Sequence, residues 1–387
     1  MAGRTRALRV VHVHFQEDVL RHAPEALLEA WPTMAEVATA VAQQGVHVAV
    51  VHASHTEEEF VREGVQYRFV AERPTAAGPQ ALWLRVRRSM PKLAAAVASF
   101  APHVIHVNGL VFPMETRSLA LGVSRVPILV QDHAGRPPPR WRALVYRFCF
   151  KSLAGVAFTA RAQAEPFLER GMLSPHIPVF EVLESSSWFS PGDREAARRV
   201  TGLRGDPCLL WVGRLDENKD PIAVLDALHL ALPHLPDPHL WCCYTDAPLL
   251  DAVRARLARD SRLADRVHLL GRVPHERVQD LCRAADFLVL GSFREGSGYA
   301  VIEALACGTP PLVTDIPSFR RITGGGAVGE LSPPGDAAAM ARALVAWSGR
   351  RGDAWRRAAR RHFEQALSFE VLGKQLRGVY ETLAETR

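Results

Sequence analysis

Short apolar runs and longer amphipathic stretches alternate along this chain. In the first half "LRVVHVHF", "VHVAVVHA", "HVIHVNG", "VPILVQDH" and "GVAFTAR" are separated by segments with helix-like sequence, such as "TMAEVATAVAQQG". A strand that is apolar on both faces needs cover on both, so the alternation predicts a parallel sheet between helical layers. The second half repeats the rhythm with "PCLLWVGR", "HLWCCYTD", "RVHLLGRV", "ADFLVLGS" and "TPPLVTD", spaced by "DPIAVLDALHLAL" and "LLDAVRARLARD". Between the halves, "LESSSWFSPGDREAARR" is polar and turn-rich and suits a hinge near residues 185–200. The pattern predicts an α/β protein of two Rossmann-like, doubly wound domains facing across a cleft, over residues 1–190 and 191–365. The last apolar-periodic segment, "FEVLGKQLRGVYETLAE", lies within 366–387 and suits a helix crossing back onto the first domain. Self-similarity at 20–50 residues, the mark of a solenoid, is not found.

Length agrees with this division, because 387 residues exceed what one core usually serves. With 48% hydrophobic and 23% charged residues the composition is ordinary globular, which argues against disorder and fibres. The 47 basic and 41 acidic residues leave +6, compatible with a phosphate-bearing ligand or an anionic surface and specifying neither. No nucleic-acid partner is expected. The six cysteines form no C-x-x-C pair and sit mostly in apolar segments, so they read as buried thiols in a cytoplasmic protein. The apolar run at the start is too short for a signal peptide and carries His12 and His14, so it reads as a first strand.

Candidate chemistry gathers in the second half. In "SFREGSGYAVIEALACGTP" Gly296 and Gly298 bracket Ser297 after a predicted strand, and Tyr299 opens a predicted helix that Gly308 ends. A glycine-lined turn at a helix start offers backbone N–H groups and the positive dipole end to a phosphate. Glu295 precedes the turn and Glu303 follows about two helical turns on, too far to share a proton; each suits neighbouring hydroxyls. By pattern alone a capping Glu295 and a solvated Glu303 stay open. Upstream, "LLWVGRLDENKDP" sends Arg214 and Lys219 from one loop, fit to neutralise a diphosphate, with a surface ion-pair loop involving Asp216, Glu217 and Asp220 as the alternative.

Taken together, Arg214 to Asp336 resembles the family 4 glycosyltransferases of the GT-B fold: G-R-x4-K, "LLGRV", E-x7-E, "ACGTPPLVTD" and "GELSPPGD". The resemblance implies a retaining transferase that moves a sugar from a nucleoside diphosphate sugar, UDP- or GDP-linked, to the hydroxyl of a glycan, lipid-linked or small-molecule acceptor. It implies Glu295 on the donor sugar, Glu303 on the ribose, and Arg214 and Lys219 on the diphosphate. The amides of Gly296, Ser297, Gly298 and Tyr299 would assist, and Arg272 and Val273 would meet the base. The first half matches more loosely, at "VIHVNG" and at "ILVQDHAG", whose His133 is the candidate at the donor sugar. The resemblance implies no bound metal and no cofactor beyond the nucleotide sugar as co-substrate.

Two stretches depart from the family. After the first strand a glycine pair is usual, yet the chain reads "HFQEDVLRHAPEALLEAWPTM"; and where an Asn-Gly-Val-Asp turn often lies it reads "LESSSWFSP". Both touch the acceptor side. A non-catalytic relative that binds nucleotide sugar or glycan is therefore the alternative. A nicotinamide dehydrogenase lacks its G-x-G-x-x-G, and a glycosidase lacks two acids about one bond. Separately, "RPPPRWRALVYRFCFKSLAG" interleaves Arg140, Arg142, Arg147 and Lys151 with Trp141, Tyr146, Phe148 and Phe150, the pattern of a helix lying on a membrane surface, or of an ordinary structural helix.

Overall fold

The computed structural model describes residues 7–16, 18–72, 90–133, 136–350 and 352–386. Contacts divide the chain into two units, Met1–Ser185 with Phe369–Arg387, and Ser186–Ser368.

In the first unit the apolar runs become β1 (Arg9–His14), β2 (His47–Ser54), β5 (Val104–Asn108), β6 (Ile128–Gln131) and β7 (Gly155–Phe158). A hairpin, β3 (Glu58–Arg62) and β4 (Val65–Ala71), and a short β8 (Val179–Glu181) complete the order β3-β4-β2-β1-β5-β6-β7-β8. All pairs are parallel except β3 with β4, so the expectation of a purely parallel sheet is corrected at one edge. The cause is local: Glu63 (φ 52°) and Gly64 (φ 78°) both sit in left-handed space, the requirement of a tight hairpin turn.

Val11, Val13, Ile105, Val107 and Val130 on one face of this sheet pack with Leu93, Val97 and Leu119 from its covering helices. The C-terminal helix Phe369–Glu385 buries Leu372, Leu376, Tyr380 and Leu383 and lies on the helix Pro32–Ala42 and on β5. Gly373 allows that approach, since a Cβ there would stand 2.3 Å from the Ala40 carbonyl oxygen.

The second unit contains β9 (Cys208–Gly213), β10 (His239–Tyr244), β11 (Val267–Gly271), β12 (Phe287–Leu290), β13 (Pro311–Thr314) and β14 (Glu330–Ser332). They are all parallel, in the order β11-β10-β9-β12-β13-β14. This is the doubly wound order 3-2-1-4-5-6, and the first sheet, without its antiparallel edge, follows the same rule. The strand order therefore reverses between β1 and β5 in one unit and between β9 and β12 in the other. Ligand crevices of such sheets open at the carboxyl ends of those strands.

All six cysteines are buried and unpaired. Among the described residues no helix is long and apolar enough to cross a membrane.

Candidate functional site

Both reversal points carry the polar chemistry. In the second unit Arg214 and Lys219 leave the end of β9, and the segment Ser292–Glu295 leaves the end of β12. Two bonds stitch these loops together: Phe293 N–H donates to the Asn218 carbonyl (2.8 Å), and the Asn218 amide donates to the Arg294 carbonyl (2.9 Å). Gly291 makes the approach possible, because a Cβ there would lie 2.9 Å from the Asp220 carbonyl oxygen. Lys219 Nζ consequently reaches Glu295 Oε1 at 2.5 Å, with both side chains mostly buried. Ser292 Oγ donates to the same carboxylate oxygen at 2.6 Å. The sequence left open whether Glu295 merely caps the helix; the structure turns it onto Lys219. Arg214 is more exposed and pairs with Asp216 at 2.9 Å.

The glycine turn follows. Gly298, at φ 62°, caps the helix Tyr299–Ala306, and a Cβ there would stand 2.7 Å from Ile322 Cδ1. Gly296 and Ser297 are half-buried beside it. Glu303 lies one turn past Tyr299 and is 3% exposed, which rules out the solvated reading. Its partner is His275 Nε2 at 2.5 Å, a residue the sequence reading did not select. His275 also stacks on Tyr299, with ring centroids 6.1 Å apart. Burial raises the Glu303 carboxyl above its usual range, with the His275 bond opposing. Arg272, exposed, and Val273, whose backbone lies against the Cys243 thiol, lead from β11 into the helix that His275 opens. The ten candidates of this unit thus form two joined groups: Arg214, Lys219 and Glu295 on one side of the glycine turn, Arg272, Val273, Tyr299 and Glu303 on the other. The acids do not pair with each other; each has its own cation or imidazole.

The first unit holds a cavity of about 400 Å³ at the carboxyl ends of β1 and β5, with His12, His14, Asn108, Asp132, His133 and Glu184 in its wall. The departing loop after β1 contributes Gln16, Trp31 and Thr33 to the same wall. Asp18 shapes that loop by accepting from the Leu20 and His22 backbone N–H groups at 3.1 and 2.5 Å. Candidate His133 sits after β6 with its side chain 39% exposed. Its Nε2–H donates to Asn108 Oδ1 (3.1 Å), and its Nδ1 faces Glu184 Oε2 (3.3 Å). The Asn108 amide in turn donates to His14 Nε2 at 3.3 Å. Both His133 nitrogens face acceptors, the arrangement of an imidazolium. Burial works against that charge, but the Glu184 bond and charge, with Asp132, prevail and raise the His133 pKa.

Register builds the rest. His14 pairs with His52 across β1–β2 and with Asn108 across β1–β5, while His12 pairs with His106. Tyr380 of the C-terminal helix bonds through its hydroxyl to His106 Nδ1 (2.6 Å) and His12 Nε2 (3.0 Å). Burial drives His12 and His52 to about 4 and His14 and His106 well below the usual value, so these four imidazoles are neutral near pH 7. Spacing gave a signal for them: His12 and His14 stand two apart on one strand, His106 and Asn108 two apart on its neighbour, so each pair shares a face. Among the described residues no group of three or more His, Cys, Asp and Glu side chains is arranged to hold a metal ion.

A family model described as "Glycosyl transferases group 1" matches residues 193–361, all within the second unit. In that unit the chain is similar to the group 1 glycosyl transferases. The phosphatidyl-myo-inositol mannosyltransferase of Mycobacterium leprae is 33% identical over 186 residues, 46% of this chain and 46% of that protein. A D-inositol 3-phosphate glycosyltransferase of Geodermatophilus obscurus is 36% identical over 209 residues, 51% of this chain and 45% of its own length. The match thus spans less than half the length of these curated relatives.

Solved structures match nearly the whole chain. A sucrose-phosphate synthase of Thermosynechococcus elongatus covers 98% of it and is itself covered completely, with TM-score 0.68 at 18% identity. Anabaena HepE, solved with UDP and glucose, covers 97% and is covered completely, with TM-score 0.65 at 16% identity. At such identities the likeness is one of fold, and it assigns the two α/β units to the GT-B class.

Proposed function

We propose that this chain is a retaining glycosyltransferase that moves a sugar from a nucleoside diphosphate sugar to an acceptor hydroxyl in glycan, glycolipid or glycoside biosynthesis. The observation that carries the reading is the Lys219–Glu295 pair at the β9–β12 reversal, beside the glycine-capped helix and within the residues the family model matches. The acid and base hold each other in place. With a donor bound, Lys219 and Arg214 take the diphosphate and Glu295 is released to the sugar hydroxyls. Positive charge from Lys219, Arg214 and the dipole of the helix Tyr299–Ala306 then stabilises negative charge growing on the leaving nucleotide.

Glu303, oriented by His275, suits the ribose hydroxyls, and Arg272 and Val273 suit the base. In the first unit His133 acts as a hydrogen-bond donor to the donor sugar. The expected donor is UDP- or GDP-linked, with no resident metal or cofactor; the UDP complexes of Anabaena HepE support the first choice. The inositol compounds in the relatives' names support a hydroxylated small-molecule or lipid-linked acceptor. Six buried free thiols suit a cytoplasmic setting.

The test is nucleotide release from a panel of UDP- and GDP-sugars, with thermal shifts for the free nucleotides beside it. A ligand at a hundred times its Kd stabilises by about 2.7 kcal/mol, easily seen. Release of one nucleotide, abolished in Glu295→Ala while nucleotide binding persists, supports the transferase. Binding without release from any donor, with acceptors supplied, indicates a binding protein and removes it.

A further inference from the structure

The segment Arg140–Phe150 is apolar on two sides, and the fold uses one of them. Tyr146, Cys149 and Phe150 of the helix Ala143–Phe150 are 1–2% exposed and belong to the core of the first unit. On the other side Trp141, Leu144 and Phe148 are 73%, 79% and 42% exposed. Their spacing of three and four residues places Leu144 and Phe148 on one helical stripe, with Trp141 leading into it from the preceding turn. Cations border the stripe: Arg140, Arg142, Arg147 and Lys151 are all exposed. The Arg142 guanidinium lies 4.9 Å from the Trp141 ring centroid, and Lys151 Nζ 5.4 Å from that of Phe148. Arg117, from the neighbouring helix, stands 5.8 Å from the Phe148 ring and donates to Ser152 Oγ.

Residues 136–155 contain five basic side chains and no Asp or Glu. The acids that act on this helix, Glu115 and Asp132, do so at Tyr146 and Cys149 on its inner face.

We propose that this outer stripe, Trp141–Leu144–Phe148 with its ring of arginine and lysine, docks the protein on an anionic lipid surface. The chemistry on both levels fits. Indole and phenyl rings and a leucine enter the headgroup and acyl boundary, while long cationic side chains lie along them and meet the lipid phosphates. A charge of one sign around an apolar stripe matches a negatively charged leaflet, whereas a self-associating face would set like charges of two copies together. The inference stands apart from the transferase reading, and its test needs no activity.

The full chain is sedimented with vesicles of phosphatidylcholine and phosphatidylglycerol, and with phosphatidylcholine alone. Binding is expected on the anionic vesicles only, with a blue shift of tryptophan emission that Trp141→Phe removes. Each cation near such a surface contributes on the order of a fivefold gain, so reversing Arg140, Arg142 and Arg147 to Glu should lower partitioning about a hundredfold or more. Leu144→Ser with Phe148→Ser should lower it at unchanged charge. These side chains are exposed, and an unaltered melting curve shows that the variants fold. Equal partitioning of the wild type and the charge-reversed variant overturns the proposal. So does a wild type that ignores anionic vesicles and instead forms a dimer that Leu144→Ser dissolves.

Discussion

The two units keep their polar interiors in opposite states. Around the β1–β5 reversal four buried imidazoles are neutral because burial opposes their charge; Tyr380 bonds His12 and His106, Asn108 bonds His14, and the Ala53 carbonyl bonds His52. Around the β9–β12 reversal the charged groups are each held by a partner of opposite sign, the mostly buried Lys219 with Glu295 and the more exposed Arg214 with Asp216. Equivalent positions in the same strand order therefore do different physical work. A neutral network is finished when the chain has folded, and damage to it is felt as lost stability. An ion pair at a loop junction can exchange partners with a charged ligand, and damage to it is felt in binding and turnover.

Lys219→Ala strains this contrast most. It leaves Glu295, 12% exposed, without its cation and removes a charge proposed for the diphosphate. The expected loss in kcat/KM is about 10²–10³-fold, with weaker nucleotide binding in a thermal-shift titration. Unchanged turnover would break the comparison at its ionic end. Tyr380→Phe tests the neutral end. Two buried imidazole nitrogens lose the hydroxyl between them, at a cost of about 1–3 kcal/mol, read from the urea midpoint, while nucleotide affinity stays at the wild-type value.

The sequence made the ionic end legible because its residues are close along the chain: five positions separate Arg214 from Lys219, eight separate Glu295 from Glu303, and glycines mark the turn. Strand runs such as "HLWCCYTD" and the helix Phe369–Glu385 were legible from periodicity alone. The neutral end was not, because it is written in register rather than spacing. His14 meets His52 and Asn108 only once three strands align, and Tyr380 meets His12 across 368 positions. His275 escaped notice for a similar reason: its tie to Glu303 spans 28 positions and two crossovers. The loop after β1 looked like a loss, having no glycine pair, yet it provides the cavity with Gln16, Trp31 and Thr33.

Glu303 crosses the two categories, being a buried acid whose partner is an imidazole. Its folded carboxyl holds a proton more tightly than the unfolded one, since burial raises its pKa. Such a group costs the native state stability as pH climbs from the ordinary carboxylate range through the raised value. Glu303→Gln removes that cost. Relative to the wild type its melting temperature should gain at pH 8 compared with pH 4, while nucleotide affinity falls about tenfold, the worth of one hydroxyl contact. A variant that loses stability equally at both pH values would make Glu303 a purely structural residue.

Glu184→Gln is the gentlest change and the sharpest. It is aimed at His133, an imidazole whose pKa is raised. Four neighbours bear on His133: Glu184 near the end of the unit's first segment, Asp132 beside it, Asn108 on β5, and through Asn108 the neutral His14 on β1. Only the two acids favour its charge, and burial opposes it. A histidine raised in the folded state contributes stability that is complete below its unfolded value of about 6.5 and is lost as pH rises through the folded one. The wild type should therefore exceed the variant in stability most at pH 5.5, and the difference should fade by pH 8.5. Titration of the His133 imidazole by NMR should show its midpoint moved down in the variant, with His12 and His106 still neutral. An unmoved midpoint would mean that Glu184 does not set the charge of His133, and the first unit would then hold no ionic group tuned for a ligand.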